Sequence, residues 1–348
     1  MGDILHALPA VTALRMAHPG WVIDWVVEPR WRALLAAQNS PGRDARQPVP
    51  RQSATSQPLV DGLHLAATKE WRRSPLSSRT LHEIKALRQT LRAGGYDAVI
   101  DLQGSIRSAV VGRLAGCRRL IGEAEPRERA ARWLFTERVT THGAHVIEQD
   151  VELASAVAGD ELKPVRPWLP VDPAAEAEAD EILSSAGSKA VVLINPGAGW
   201  GAKRWPVERY TTVAAALIEQ GCRVLVNAGP GEESLADVIA KETGGAATPL
   251  VGSLGRLIAL TRRVALVIAG DTGPLHLACA LGRPVVGIYG PTDPSRNGPF
   301  GTRFKVLRSP QSRRDHTRYE APEAGLLTIQ PEDVLQAAGE LLAEEAVR

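Results

Sequence analysis

Two stretches of the sequence have the residue types and spacing to hold a phosphorylated ligand. The first is GDTGPLHLACALGRPVVGIYGPTDP, residues 270–294. Asp271 ends an apolar run, Thr272-Gly273 makes a tight turn, and a helix opens near Pro274. A strand feeding a helix through glycine presents free backbone N–H groups and the positive end of the helix dipole, which suits a phosphate or diphosphate. Gly273 lets the anion approach the backbone, Thr272 offers a hydroxyl, and His276 follows one turn in. The same residue types also make ordinary helix caps, with His276 a satisfied helix residue. The second stretch is NPGAGWGAKRWP, residues 195–206. Gly197 and two further glycines leave the backbone open ahead of Lys203 and Arg204. A lysine near a helix start can meet the charge of a leaving phosphate, although the loop is not a Walker A sequence. It reads equally as a plain βα connection with solvated charges. A third loop, NAGPGEES (227–234), holds GxG without the full GxGxxG. Glu232 or Glu233 can accept hydrogen bonds from a ribose, or simply favour the first turn of a helix.

The first half offers Asp3, KEWRRS (69–74) and DLQGSIRS (101–108). A carboxylate at the carboxyl edge of a sheet can act as general base for a hydroxyl, and it is also a common helix N-cap. Arg72, Arg73 and Arg107 suit bidentate binding of carboxylate or phosphate, or form a solvated basic face. The sequence has no DxD, no His/Asp/Glu cluster at metal-ligand spacing, no GxSxG and no Cys/His pairing. Neither a metal site, a cofactor nor an acyl nucleophile is expected. A nicotinamide-dependent oxidoreductase is disfavoured for want of a complete dinucleotide fingerprint.

The elements that must position these residues follow from periodicity. Residues 4–18 are helical by period and WVIDWVV (21–27) reads as a strand. Residues 79–93 form a basic amphipathic helix, and YDAVIDLQG (96–104) carries a strand into a turn. A Pro-, Gln-, Ser- and Arg-rich segment at about 39–58 cannot bury a core and reads as a mobile surface insertion. PVRPWLPVDP (164–173) holds four prolines in ten positions and is the candidate boundary. Beyond it, strands and helices alternate, with RPVVGIYG read as the last strand and a terminal helix over 331–346. The β-branched runs, apolar on both faces, predict parallel strands covered on both sides. The fold class is therefore α/β, two doubly wound domains with a cleft between them. The N-terminal domain spans 1–165, the linker 166–173 and the C-terminal domain 174–348. The 348 residues carry a net charge of +2, too little to suggest nucleic acid as partner. No apolar run reaches membrane-span length, and no signal peptide is visible. Cys117, Cys222 and Cys279 are scattered, which argues for reduced thiols and a cytoplasmic location.

Taken together, GDILHALPA, EWRRSPLS, YDAVIDLQGSIRSA, the KRWP loop and DTGPLHLACALGRPVVGIYGPTDP resemble glycosyltransferase family 9, the ADP-heptose:lipopolysaccharide heptosyltransferases. The resemblance spans nearly the whole chain outside 39–58. The last segment is the most specific, and EWRR and DLQG favour the type I branch over type II. The resemblance implies a GT-B fold and inverting, metal-independent transfer of heptose from ADP-heptose to the inner Kdo of Kdo-lipid A. By position, Asp3 matches the catalytic base and Lys203 the residue that meets the diphosphate charge. Asp271, Thr272, Gly273 and His276 match the nucleotide-sugar motif, with Gly197 and Glu233 joining them as donor contacts. Arg72, Arg73, Gln103 and Arg107 would hold the acidic acceptor. The lipid acceptor implies peripheral contact with the inner face of the inner membrane. In this family a strand precedes the Asp, so the resemblance also implies that the protein begins upstream of Met1 with the missing first strand. Other readings remain open: a type II enzyme, another family 9 transferase, or a non-catalytic sugar or nucleotide binder.

Overall fold

The structure is a computed structural model that describes residues 1–37, 58–184, 187, 189–314 and 319–346. The insertion expected at 39–58 lies outside the described residues, apart from Pro58. The chain separates into two compact units, Asp3–Pro170 and Val171–Arg348. The division falls inside the proline-rich stretch, where fixed φ angles and missing N–H groups keep the chain out of either ladder.

The first unit opens with helix α1, Gly2–Ala17, which is buried on every face from Leu5 to Arg15. A helix apolar all round must lie inside its unit. Buried Arg15 is satisfied at the far end by the carbonyls of Leu59 and Trp21 and the carboxylate of Asp61. Strands β1 (Asp24–Val27) and β2 (Gly62–Leu65) then pair in parallel. The strand expected over 21–27 is shorter because Trp21 stacks on His18 at 3.9 Å and Val22 faces solvent. Helices α2 (Thr68–Arg73) and α3 (Ser78–Ala93) follow. Next come β3 (Val99–Asp101), α4 (Ile106–Leu114), β4 (Leu120–Glu123), β5 (Glu137–Val139) and α5 (Val146–Ala158). Strands β3, β4 and β5 form a second parallel sheet in that order. Among the described residues the unit thus holds two short parallel sheets.

The second unit contains α6 (Pro173–Ser184), β6 (Val191–Asn195), α7 (Val207–Glu219), β7 (Arg223–Asn227) and α8 (Glu233–Glu242). It continues through β8 (Thr248–Leu250), α9 (Leu254–Thr261), β9 (Leu266–Gly270), α10 (Gly273–Ala280) and β10 (Val285–Tyr289). Helix α11 (Pro294–Asn297), β11 (Phe304–Arg308) and α12 (Pro331–Ala346) complete it. The six strands are all parallel, in the order β11-β10-β9-β6-β7-β8. The chain starts in the middle with β6, winds outward through β7 and β8, then crosses back to β9. That order is the doubly wound arrangement, and its switch point lies between β6 and β9. Every residue of β6, β9 and β10 is buried, as a sheet covered on both faces requires. Val192 and Ile194 pack with α7, α8 and α12 on one face, and Val191 and Leu193 with α6, α9 and α10 on the other. One sequence expectation is corrected here. RPVVGIYG is not the last strand, since β11 pairs beyond it at the sheet edge. Its residues are only half-buried, so the apolar signal that marks the central strands is missing. Glycine closes many turns, but at Gly201 it is compulsory: a Cβ would lie 1.5 Å from the Glu320 carbonyl oxygen.

Candidate functional site

In the second unit the three loops singled out above leave the carboxyl ends of β6, β7 and β9, which are neighbours in the sheet. Ligands of doubly wound sheets bind at this edge, beside the switch point. Asn195 at the end of β6 lies opposite Ala269 of β9. Its side chain donates to the Gly197 carbonyl at 3.1 Å and accepts from Asn227 of β7 at 2.6 Å. This asparagine pair staples the 195–206 loop to its neighbour and was not singled out from the sequence.

Lys203, in the turn Gly201–Lys203, sends its ammonium to the carboxylate of Asp271. It also lies 4.2 Å from the centre of the Trp200 ring, a cation–π arrangement. The other Asp271 oxygen meets Nε2 of His276 at 3.1 Å. Asp271 and Lys203 are only 8% and 11% exposed. Burial by itself raises the Asp271 pKa, but the His276 hydrogen bond and the Lys203 charge outweigh it and hold the carboxyl well below its usual range. Asp271 is therefore no helix cap. Thr272 occupies the N-cap position of α10 without a side-chain capping bond, and its hydroxyl donates to the Gly270 carbonyl at 3.2 Å. The N-terminus of α10, opening at Gly273, thus keeps the unsatisfied N–H groups that bind anions.

Of the two acids in the third loop, Glu232 reaches the site. Its carboxylate accepts from Ala198 N at 3.0 Å and lies where a Cβ on Gly197 would stand. Glu233, expected as the donor contact, instead takes backbone N–H groups of its own turn, which lower its pKa.

In the first unit, Asp3 sits in the first turn of α1, whose N-cap is Met1. It is not the cap. Its Oδ2 accepts from Gln103 Nε2 at 2.8 Å and pairs with Arg127 Nη1 at 3.4 Å, and the side chain is 52% exposed. Burial raises the Asp3 pKa, but Gln103 and Arg127 together bring it below the usual range, so the carboxylate is ionised at neutral pH. The DLQG segment explains how Gln103 is presented. Buried Asp101 accepts from the N–H groups of Gln103 and Gly104 at 2.9 and 3.0 Å, and from the Ser108 hydroxyl at 2.9 Å. Gly104 adopts φ +62°, and a Cβ there would come within 3.1 Å of the Arg127 amide. Ser105 and Ser108 then close a capping box on α4. Arg127 was missed from the sequence, because nothing in EAEPRERAARW distinguishes one of its arginines.

Arg73 and Arg107 join a wider cationic group. The Lys69 pKa is lowered by burial and by the charges of Arg30, Arg107 and Arg73, with Glu28 opposing. Arg72 lies in the last turn of α2 with an exposed side chain. Arg30 is a further member that sequence reading did not find. Among the described residues, no three His, Cys, Asp or Glu side chains converge as metal ligands would.

Comparison with known proteins gives the family and the fold. The sequence profile of glycosyltransferase family 9 (heptosyltransferase) matches residues 84–326. Lipopolysaccharide heptosyltransferase 1 of Escherichia coli is 31% identical over 322 residues, covering 89% of this chain and 91% of that enzyme. Lipooligosaccharide heptosyltransferase 2 of Haemophilus influenzae is 27% identical, covering 99% of this chain and 97% of that protein. Among solved structures, the E. coli heptosyltransferase WaaC with ADP superposes with a TM-score of 0.76 at 26% identity, covering 98% of this chain and 97% of its own. The chain is a glycosyltransferase of the GT-B class and belongs to glycosyltransferase family 9, the heptosyltransferase family.

Proposed function

We propose that the chain transfers heptose from ADP-heptose to the inner Kdo of Kdo-lipid A, as the type I enzyme of lipopolysaccharide core assembly. The observation that carries this reading is Asp3. Both of its contacts fall on Oδ2, they hold it ionised, and half of the side chain faces solvent. That is the state a general base needs before it takes a proton from a hydroxyl. The acceptor oxygen attacks the anomeric carbon of the heptose, the bond to ADP breaks on the opposite face, and the configuration inverts. The proton passes to Asp3, and the electron pair leaves with the diphosphate. Lys203 and the N-terminus of α10 meet that charge, with Asp271, itself held by His276, fixing the ammonium. The first unit, proposed as domain 1–165, receives the acceptor on Arg73, Arg107 and Arg72. The second, proposed as 174–348 after a linker at 166–173, receives ADP-heptose at the loops that end β6, β7 and β9; an E. coli relative has been solved with ADP. The lipid acceptor places the protein in the cytoplasm against the inner membrane.

The test is ADP release from ADP-heptose with and without Kdo-lipid A. Asp3→Asn, which keeps the Gln103 contact, should lower kcat about 10²- to 10⁴-fold, the usual contribution of a positioned base. Release that is independent of acceptor, or unchanged in Asp3→Asn, would sink the assignment. Transfer to a core already carrying its first heptose, and not to Kdo-lipid A, would point to the type II acceptor.

A further inference from the structure

The proposed chemistry uses Arg72, Arg73 and Arg107 but leaves α3 unexplained. Between Thr68 and Ala93 the chain carries seven Lys or Arg residues against only Glu70 and Glu83, in a protein whose net charge is +2. The packing side of α3 is Thr80, Ile84, Leu87 and Leu91, which close over Trp71 and Ala66. Its other side presents Arg79, Lys85, Arg88 and Arg92 to solvent. Glu83 is already taken, accepting from Trp71 Nε1 and from Arg79 Nε, both at 2.8 Å. Two large apolar side chains stand among these cations: Leu76, 86% exposed just before the helix, and Leu81, 55% exposed in its first turn.

We infer that the solvent face of α3, with Leu76 and Leu81, docks on an anionic lipid bilayer. The pattern fits a membrane surface, where cations meet headgroup charge while apolar side chains enter the acyl boundary. Nucleic acid would be met by cations together with stacking aromatics or base-edge donors, and a leucine supplies neither. No described helix is long and apolar enough to cross a membrane, so contact through a surface face is the mode this unit offers. The inference rests on the lipid-borne acceptor proposed above. Arg72 and Arg73 close α2 three to four residues before Leu76, so the docking face continues into residues assigned to that acceptor.

The test is partition of the full chain onto vesicles of phosphatidylethanolamine with phosphatidylglycerol, compared with phosphatidylcholine alone. Binding should favour the anionic vesicles and weaken between about 0.1 M and about 1 M salt, as the screening length falls from about 10 Å to about 3 Å. Each cation near such a surface is worth about five-fold in partition, so Lys85→Glu with Arg88→Glu should cost roughly 25-fold or more. The milder pair Lys85→Gln with Arg88→Gln should lose an intermediate amount, which guards against misfolding as the cause. Leu76→Ser with Leu81→Ser should weaken binding with little change in its salt dependence. All these variants should still release ADP with a water-soluble, deacylated acceptor, and lose rate only on acceptor held in vesicles. Equal partition on both vesicle types, or undiminished binding by the charge-reversed pair, overturns the docking face. Failure of the unaltered chain to turn over either acceptor would instead overturn the proposed activity, while the partition result still decides the docking.

Discussion

Replacing Asp271 with asparagine removes the charge that two buried side chains share. Lys203 and Asp271 are both about nine-tenths buried, so this pair is outside the class of surface ion pairs worth 0–1 kcal/mol. Removing one partner of a buried pair typically costs about 3–5 kcal/mol, because the other charge is left desolvated. For a unit of this size each kcal/mol lowers the melting temperature by about 2–4 °C, which predicts a fall of about 6–20 °C in Asp271→Asn. Adding Lys203→Met removes the stranded ammonium and should restore most of that loss, since apolar replacement of a whole buried pair is often neutral. ADP release should not return, because the group that meets the diphosphate is gone. Acidity adds a second signature. The Asp271 pKa is depressed in the folded chain, so its stabilisation is present above the unfolded value of about 3.9 and is lost as pH falls below it. Calorimetry of the three proteins across pH 3–7 reads both effects. A single variant melting within about 2 °C of the unaltered chain, or a double variant melting below the single, would refute this account of the pair.

Three further outcomes follow from the same geometry. Gln103→Ala removes a bond that lowers the Asp3 pKa, so the acid limb of the kcat/KM profile should move to higher pH; an unmoved limb would separate Asp3 from the titration. Gly104→Ala forces a side chain into φ +62° against the Arg127 amide. It should cost about 1–2 kcal/mol in thermal unfolding and lower kcat beyond that, because Gln103 and Arg127 shift together. Glu232→Ala should weaken ADP binding by about ten-fold in titration calorimetry as the 195–206 loop loses its anchor, whereas Glu233→Ala should stay within about two-fold, and equal effects would contradict the loop geometry.

The parts of the fold that could be read from the chain are those buried on both faces. Strands β6, β7, β9 and β10 carry apolar runs rich in Val and Ile because helices cover both sides of the sheet, and that burial leaves a signal no surface element matches. Strands β5 and β11 escaped notice for the opposite reason. Glu137–Val139 is three residues long with two charges, and Phe304–Arg308 is a half-exposed edge, so neither shows a run or a clean alternation. Helix α1 was recognisable by period, yet its burial on every face from Leu5 to Arg15 was not. Pro9, Thr12 and Arg15 interrupt the apolar pattern, and only Asp61 and the carbonyls of Leu59 and Trp21 explain how an arginine is tolerated there.

The same division runs through the site. Residue type made Asp3, Lys203, Asp271 and His276 candidates but left each open as a cap, a solvated charge or a satisfied helix residue, and the family resemblance supplied their expected roles. Their partnerships depend on topology. Lys203 and Asp271 are 68 positions apart and meet only because the crossover from β8 sets β9 beside β6. Asp3 and Arg127 are 124 positions apart, and no local feature of either segment points to the other. DLQG shows why a motif can be recognised without its mechanism being understood. Asp101 and Gly104 make the segment distinctive, yet both serve the turn: one satisfies its N–H groups, the other admits the Arg127 backbone. Of the two residues between them, Gln103 needs no special backbone and carries the contact with Asp3. A substitution at Asp101 or Gly104 should therefore register in stability as well as in rate. One at Gln103 should register in the pH dependence of the rate with the fold intact. The recognisable positions build the turn, and the position least constrained by it holds the base.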